Sequence, residues 1–167
     1  VIAVPKGNPA KIVDIEDLTR PGVRVSMARD ASAPGGQAVM GILKAADITP
    51  KVLANVRAQG SCVQRSVADV TEGKADAMIV ERRITRMTRF ADHLEYVEIP
   101  ERFFPAGPLT FTVGMMANAA DPAKATAYMD WISSAQGQAY FEAAGFIPAI
   151  SPKGMELVEK LGVKDVA

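Results

Sequence analysis

The chain has 167 residues, 49% of them hydrophobic and 23% charged, which is enough for one domain with a hydrophobic core. Its 19 basic and 19 acidic residues cancel and only 6% of residues are aromatic, which argues against binding nucleic acid or a membrane surface through charge or stacking. A single cysteine, Cys62, excludes an intrachain disulfide. A single histidine, His93, excludes a His-rich metal site and a Ser-His-Asp triad built on another histidine.

The first third of the chain alternates short apolar runs with turn residues. Pro5 and Gly7 end the first apolar run, and Asp14 can cap a short helix that Pro21 and Gly22 end. The predicted elements of this part are a strand at 2–4, a helix at 15–18, a strand at 23–27, a helix at 36–46 and a strand at 52–56.

The rest of the chain continues the alternation. Ser61 followed three residues later by Gln64 predicts a capping box at the start of a helix that ends at Gly73. The apolar run 77–80 is typical of a strand buried on both faces. The remaining predicted elements are a helix at 84–90, strands at 94–99 and 109–115, a helix started by Asp121-Pro122, a helix from Ser134 to Gly145, and a helix at 153–161.

This order of strands and helices predicts an α/β fold with a doubly wound sheet. In such a sheet ligands bind where strands end and helices begin, and two helix starts have the chemistry of an anion site. They are Pro34-Gly35-Gly36 and Ser61-Cys62-Val63, because the first N–H groups of a helix have no partner within it and lie at its positive end. The alternative is that each is only a turn before a helix. A phosphate-loop lysine and a GxGxxG motif are absent, which disfavours a nucleotide site.

Glu81 follows the most buried predicted strand, at the same edge of the sheet. Its carboxylate could face a ligand, or Arg82 or Arg83 beside it could pair with an anion. The alternative is that Glu81 forms a salt bridge and the arginines are solvated. Cys62 at a predicted helix start is a second, weaker candidate for chemistry, because a helix N-terminus can lower the pKa of a thiol.

Four stretches of the sequence carry a resemblance to a known family. They are VPKGNP at 4–9 with IEDL at 15–18 and PGVR at 21–24, DASAPGG at 30–36, residues 63–80 with EGKADA at 72–77, and FEAAGF at 141–146. In this order and spacing they are similar to the entry into the second lobe, the "D…PAG" loop, the "GEADAGIVY" strand and the "F..YGF" terminus of the periplasmic molybdate/tungstate-binding proteins. These proteins are solute receptors of ABC importers.

The resemblance implies one lobe of a type II periplasmic-binding fold, with a mixed sheet and helices on both faces. Residues 1–117 would be the ligand-binding second lobe, and residues 118–167 would be C-terminal helices that pack back toward a first lobe. We therefore expect the chain to be a fragment that lacks about 80 residues of that lobe. The family's second lobe gives the oxyanion one N–H from the loop at Gly35, beside Gly36, and another from the helix start at Val63, after Ser61.

The same resemblance gives Glu81 the place of a tyrosine whose hydroxyl donates to the oxyanion. An ionised glutamate cannot donate that hydrogen bond and repels a dianion. Three explanations remain open. Glu81 could be neutral in the closed cleft, it could ligate the metal centre of the oxyanion as carboxylates do in archaeal relatives, or the ligand is not molybdate. Those relatives have a second acidic ligand at a position that Ala33 occupies here.

We therefore expect the substrate-binding component of an ABC importer, periplasmic or extracytoplasmic, that binds a small molybdate- or tungstate-like oxyanion between two lobes. The expected partners are that ligand and a membrane permease, with no cofactor, no metal site of the protein's own, no nucleic acid and no enzymatic activity. Aromatic residues of the terminal helices, left bare without the first lobe, predict a homodimer of the chain. The alternatives are the ligand-sensing domain of a cytoplasmic transcriptional regulator, a receptor of this fold for another solute, and an enzyme in which Glu81 or Cys62 reacts.

Overall fold

The computed structural model describes residues 1–28, 35–104 and 111–161, and the chain divides into two units, Val1–Pro105 and Ala106–Ala167. The strands of the first unit are β1 (Ile2–Pro5), β2 (Val25–Met27), β3 (Val56–Gln59), β4 (Met78–Ile79) and β5 (Leu94–Val97). Its helices are α1 (Gly35–Ala45), α2 (Thr49–Ala54), α3 (Val63–Thr71), α4 (Arg82–Thr85) and α5 (Thr88–Ala91). The second unit contains α6 (Pro122–Ser133), α7 (Ala135–Ala143) and α8 (Pro152–Leu161).

The strands form a mixed sheet, as predicted. β1 pairs antiparallel with both β4 and β5, whereas β2 and β3 are parallel. A parallel bridge between Val25 and Ala77 joins the two parts, and the N–H of Ser26 donates to the carbonyl of Ala77 at 2.9 Å. Hydrogen bonding thus follows the order β3, β2, β4, β1, β5, and the predicted α/β class is confirmed.

Two hydrophobic clusters lie on the two faces of this sheet, because side chains alternate along each strand. In β1, Ile2 and Val4 belong to the first cluster and Ala3 to the second. Residues of α1 and α2 complete the first cluster, and residues of α3, α4 and α5 complete the second. The sheet therefore has helices on both faces, as the doubly wound pattern requires.

The predicted strand at 52–56 is wrong, because a helix and a strand share this segment. Helix α2 extends to Ala54, and β3 begins only at Val56. Pro50 lies in the first turn of α2, where its missing N–H costs nothing. Val52 is fully buried in the first cluster, so its apolar character serves a helix face rather than a strand.

The predicted single helix at 84–90 is also wrong, since it is two short helices. Met87 is extended, with φ −64° and ψ 135°, so the backbone leaves the helical conformation before α5 begins. This break allows Ile84 of α4 and Phe90 of α5 to be buried in the same cluster. The predicted strand at 109–115 is absent over the described residues 111–115, where Phe111 and Val113 are largely exposed.

The second unit begins its helices as the sequence predicts. The Asp121 carboxylate accepts from the N–H of Lys124 at the start of α6, and the Ser134 hydroxyl accepts from the N–H of Gly137 at the start of α7. Three exposed aromatic residues, Tyr128, Trp131 and Tyr140, contact one another along these two helices. Tyr128 and Trp131 are thus exposed as expected, whereas Phe141 and Phe146 of the same helical region are half-buried, and the homodimer stays a prediction.

One ion pair secures the start of β2 to the segment before β4. Arg24 donates to Asp76 through Nε at 3.1 Å, through Nη2 at 2.6 Å and through its backbone N–H at 2.8 Å. The hydrogen bonds from the Arg24 side chain lower the pKa of the Asp76 carboxyl, and burial opposes them only in part. The ionised carboxylate is therefore the form that the folded state prefers.

Asp76→Asn should destabilise the protein at neutral pH by about 1–2 kcal/mol, the worth of charge-assisted hydrogen bonds discounted for the exposure of Arg24. Because the pKa of Asp76 is lower in the folded state than in the unfolded state, the ion pair stabilises the protein fully at pH values above the unfolded-state pKa. This stabilisation is lost as the pH falls through the folded-state pKa. Urea unfolding at about pH 7 and about pH 3 should show the difference between the two proteins shrinking in acid. Asp92→Asn, at an exposed position, is the control. If Asp76→Asn lost the same free energy of unfolding at both pH values, the ionised Asp76 carboxylate would not be the source of the stabilisation.

Candidate functional site

Three strands end at one edge of the sheet, where the sequence predicts the ligand site. β2 is parallel to β3, and the bridge between Val25 and Ala77 shows that the chain leading into β4 is also parallel to β2. The carboxyl ends of β2, β3 and β4 therefore share this edge. Ala28 after β2, Val80 after β4 and Val63 at the start of α3 pack in the second cluster. The N-terminus of α3 therefore lies beside the residues that follow β4.

The cap of α3 differs from the prediction. Its N-cap residue is Cys62, which is extended with φ −151° and ψ 163° and whose side chain makes no cap hydrogen bond. The predicted capping box of Ser61 and Gln64 is therefore wrong. The Gln64 side chain is held elsewhere, because its carbonyl oxygen accepts a hydrogen bond from Arg89. The first N–H groups of α3, beginning at Val63, have no partner within the helix, and no side chain among the described residues caps them.

A buried serine fixes the loop that leads into α3. The Ser66 hydroxyl, fully buried, accepts from the N–H of Gly60 at 3.1 Å. A methyl group at Gly60 would lie 2.3 Å from that hydroxyl oxygen, so the loop and the helix are in close contact. Sequence reasoning missed this pair, because a spacing of six residues across a turn has neither helical nor strand periodicity. The glycine two residues before the N-cap is the only signal that could have indicated it.

Helix α1 begins at Gly35, the residue predicted to give a second N–H, and Gly36 is half-buried in its first turn. The preceding loop, residues 29–34, lies outside the described residues, and with it the predicted Asp30 to Pro34 part of the site. Because α1 belongs to the first cluster and α3 to the second, the two helices pack on opposite faces of the sheet.

Glu81 follows β4 and is the N-cap residue of α4, with φ −66° and ψ 136°, yet its side chain does not cap that helix. Its side chain is 39% exposed, and Oε1 forms an ion pair with Nη2 of Arg83 at 3.9 Å, which is the salt bridge that the sequence left open as the alternative. Its Oε2 is buried from solvent and has no hydrogen-bond partner among the residues that the structure describes. Of the predicted site residues, the structure thus brings Val63 and Glu81 to one edge. It leaves Ser61 exposed, without a capping role.

Other kinds of site have little support in the described ranges. Residues 1–28, 35–104 and 111–161 contain no group of three or more His, Cys, Asp or Glu side chains placed to hold a metal ion. None of the helices in these ranges combines the length and apolar character needed to cross a bilayer. Cys62 is exposed with a free thiol, and its reactivity stays a prediction.

Residues 1–147 match the model of a family described as bacterial extracellular solute-binding protein. No curated protein matches the chain by sequence.

Solved structures of the same fold are found at low sequence identity. A substrate binding domain assigned to a molybdenum ABC transporter from Clostridium difficile has a TM-score of 0.71 and 22% identity, over 87% of this chain and 61% of its own. The periplasmic molybdate-binding protein of Azotobacter vinelandii has a TM-score of 0.66 and 18% identity, over 87% of this chain and 64% of its own. The sulfate-binding protein SubI from Mycobacterium tuberculosis has a TM-score of 0.65 and 19% identity, over 97% of this chain and 60% of its own. The chain therefore spans less than two thirds of the length of these proteins.

Proposed function

Because the chain belongs to the bacterial extracellular solute-binding protein family, we propose that it is part of the substrate-binding component of an ABC importer. We propose as its ligand a small tetrahedral oxyanion, the class that includes molybdate and tungstate. The family description supports a periplasmic or extracytoplasmic location, and the expected protein partner is the membrane permease of the importer. Three proteins of this fold that are named for molybdenum, molybdate and sulfate support an oxyanion ligand.

The observation that carries the proposal is the uncapped N-terminus of α3 beside the end of β4. Its first N–H groups are fixed by the helix and lie at the positive end of the helix dipole, so they can bind an anion without rearranging. The buried contact between Ser66 and Gly60 holds the loop before them in place. Binding of this kind requires no covalent step.

We propose that α3 gives only part of the ligand's hydrogen bonds. The start of α1 at Gly35 is the second donor position on this chain. The relatives have more than a third of their length beyond what this chain spans, and that part would supply the opposite wall of an interlobe cleft. Closure of the two lobes about a hinge would then surround the anion with donors on both sides.

Val63→Pro tests whether the N–H of Val63 binds the oxyanion, and it leaves the helix in place. Proline has no N–H but fits the first position of a helix, and the extended conformation of Cys62 suits a residue before proline. Loss of one charge-assisted hydrogen bond should weaken oxyanion binding by about 10- to 100-fold. The measurement is a thermal-shift titration of the full polypeptide that contains residues 1–167, with molybdate, tungstate, sulfate and phosphate, because a ligand of the native state raises the melting temperature.

Val63→Ala is the matched control, since it removes the same apolar side chain and keeps the N–H. Equal affinities of the proline and alanine variants would show that the Val63 amide does not contact the ligand. Failure of every tetrahedral oxyanion to raise the melting temperature of the unaltered protein would show that the ligand belongs to another class.

A further inference from the structure

We propose that the outer edge of strand β5 pairs with the same strand of a second copy of this chain, antiparallel, about a two-fold axis at Tyr96. The sequence already predicts a homodimer, through the bare aromatic side chains of the terminal helices. The first unit offers a different surface for it, formed by backbone hydrogen bonds at the end of the sheet. This surface has no part in the proposed oxyanion site, so the two can be tested separately.

β5 lies at one end of the sheet and presents backbone groups there. Hydrogen-bonded pairs alternate with non-bonded pairs along two antiparallel strands. The N–H of Lys6 donates to the carbonyl of His93 at 2.9 Å, so this pair is of the bonded kind. The next pair in the register, Pro5 with Leu94, is of the other kind, because proline has no N–H. The N–H and C=O groups of Leu94 and Tyr96 therefore point away from β1, and none of them has a hydrogen-bond partner among the residues that the structure describes.

The two edges of the sheet differ in how well they are protected. Natural proteins protect an edge strand with a lysine, a proline or a bulge. β5 has the sequence LEYV, which contains neither residue, and its register with β1 is regular over four pairs. β3 at the opposite edge contains Arg57, and its register with β2 shifts after Val25. Of these two strands, β5 is therefore the better template for another strand.

The charges of β5 select the register of a symmetric pair. An axis at Glu95 would place the two Glu95 carboxylates directly opposite each other, and facing like charges destabilise two strands. An axis at Tyr96 instead places Glu95 opposite Val97 of the second copy. Two tyrosine rings then meet at the axis, and aromatic pairs across strands are favourable. Because the peptide groups of Tyr96 point outward, the two copies can exchange both hydrogen bonds at this position.

The same register brings opposite charges together. Leu94 of one copy lies opposite Glu98 of the other, since each is two residues from the axis. Leu94 lines a groove of about 550 Å³ that Arg86 also lines. The Glu98 side chain is 66% exposed and lies 3.7 Å from Arg82 of α4, a helix that packs on the same face of the sheet as Leu94. A carboxylate of the second copy thus meets a groove with an arginine, and the equal numbers of acidic and basic residues cause no long-range repulsion between copies.

Sedimentation equilibrium of the full polypeptide that contains residues 1–167 tests the inference. A four-residue strand gives a small interface, so the mass should rise toward twice the monomer value between about 1 and 300 μM. Tyr96→Lys and Tyr96→Glu each place like charges opposite each other at the axis, and each should weaken self-association at least about 10-fold. An equimolar mixture of the two variants places opposite charges there and should restore association. Tyr96 is 38% exposed, so both variants should fold.

Tyr128→Lys, the same change at an exposed aromatic residue of α6, is the matched control and should associate as the unaltered protein does. A monomer mass of the unaltered protein at every concentration would overturn the dimer. Dissociation by Tyr128→Lys and not by Tyr96→Lys would overturn the role of β5 in favour of the helices of the second unit. A mixture that associates no better than either Tyr96 variant alone would overturn the two-fold pairing at Tyr96.

Discussion

Replacing Gly137 with alanine is expected to lower the free energy of unfolding of the second unit by about 3 kcal/mol or more, because the new methyl group has no space. It would lie 2.2 Å from the carbonyl oxygen of Trp131, 2.7 Å from the Cα of Ile132 and 2.7 Å from the carbonyl oxygen of Ile132. All three are backbone atoms at the end of α6, so no rotation of a side chain can relieve the contact. Either α7 moves away from α6 or the hydrogen bond from Gly137 to Ser134 is lost.

Trp131 is the only tryptophan of the chain and lies at this contact, so its fluorescence in a urea titration reports the change directly. Gly114→Ala is the matched control in the same unit, because a methyl group there would meet nothing within 4 Å. Its stability should change by about 0.5 kcal/mol or less. Equal unfolding midpoints for the two variants would contradict the close approach of α6 and α7.

The buried strand at 77–80 was predictable, because a strand that is buried on both faces of a sheet requires a continuous run of apolar residues. The apolar run 77–80 predicts a strand with no solvent-exposed face, and in the structure Ala77 and Ile79 join one cluster while Met78 and Val80 join the other. The same logic predicts the apolar stripe of α3, where Val67 and Val70 are buried. Here local sequence and tertiary packing demand the same residues.

The errors occur where an apolar run has more than one explanation. Residues 52–56 read equally well as a strand or as the buried face of a short helix, and the tertiary contact of Val52 with the first cluster decides for the helix. The alternation at 111–115 resembles a strand, but the exposed Phe111 makes an edge-to-face contact with Phe146 instead. Periodicity identifies which residues are apolar and does not identify the partner that covers them.

The candidate site was predictable in part. The sequence predicts a helix start at residues 61–63. It also places Glu81 after the most buried predicted strand, where the resembling family has a tyrosine. The sequence cannot show that Oε2 of Glu81 is shielded from solvent and lacks a hydrogen-bond partner in the described part of the chain, since this depends on how α4 turns away from β4. Nor can it show that Arg89 donates a hydrogen bond to the Gln64 side chain, or that the N-cap residue of α3 is Cys62 and not Ser61. Both facts depend on contacts between residues distant in the chain.

Gly60→Ala is expected to weaken both folding and ligand binding, because the glycine lies against the helix that presents the anion-binding amides. The methyl group would lie 2.3 Å from the Ser66 hydroxyl oxygen, 2.8 Å from its backbone N and 3.1 Å from its Cα. The first of these contacts can be relieved by the side chain, but the second is with the backbone of α3. The start of α3 must therefore shift, at a cost of about 1–3 kcal/mol in stability.

A shift of the α3 start displaces the Val63 amide from the ligand, so oxyanion affinity should fall by about 10-fold or more. The double variant Gly60→Ala with Ser66→Ala separates the two contacts. It removes the hydroxyl clash and keeps the backbone clash, so it should recover part of the stability relative to Gly60→Ala and little of the affinity. Full recovery of both, measured by urea unfolding and by calorimetry on the same proteins, would show that the hydroxyl alone sets the distance between the loop and α3. Unchanged affinity in Gly60→Ala despite lower stability would instead show that the α3 amides do not contact the anion.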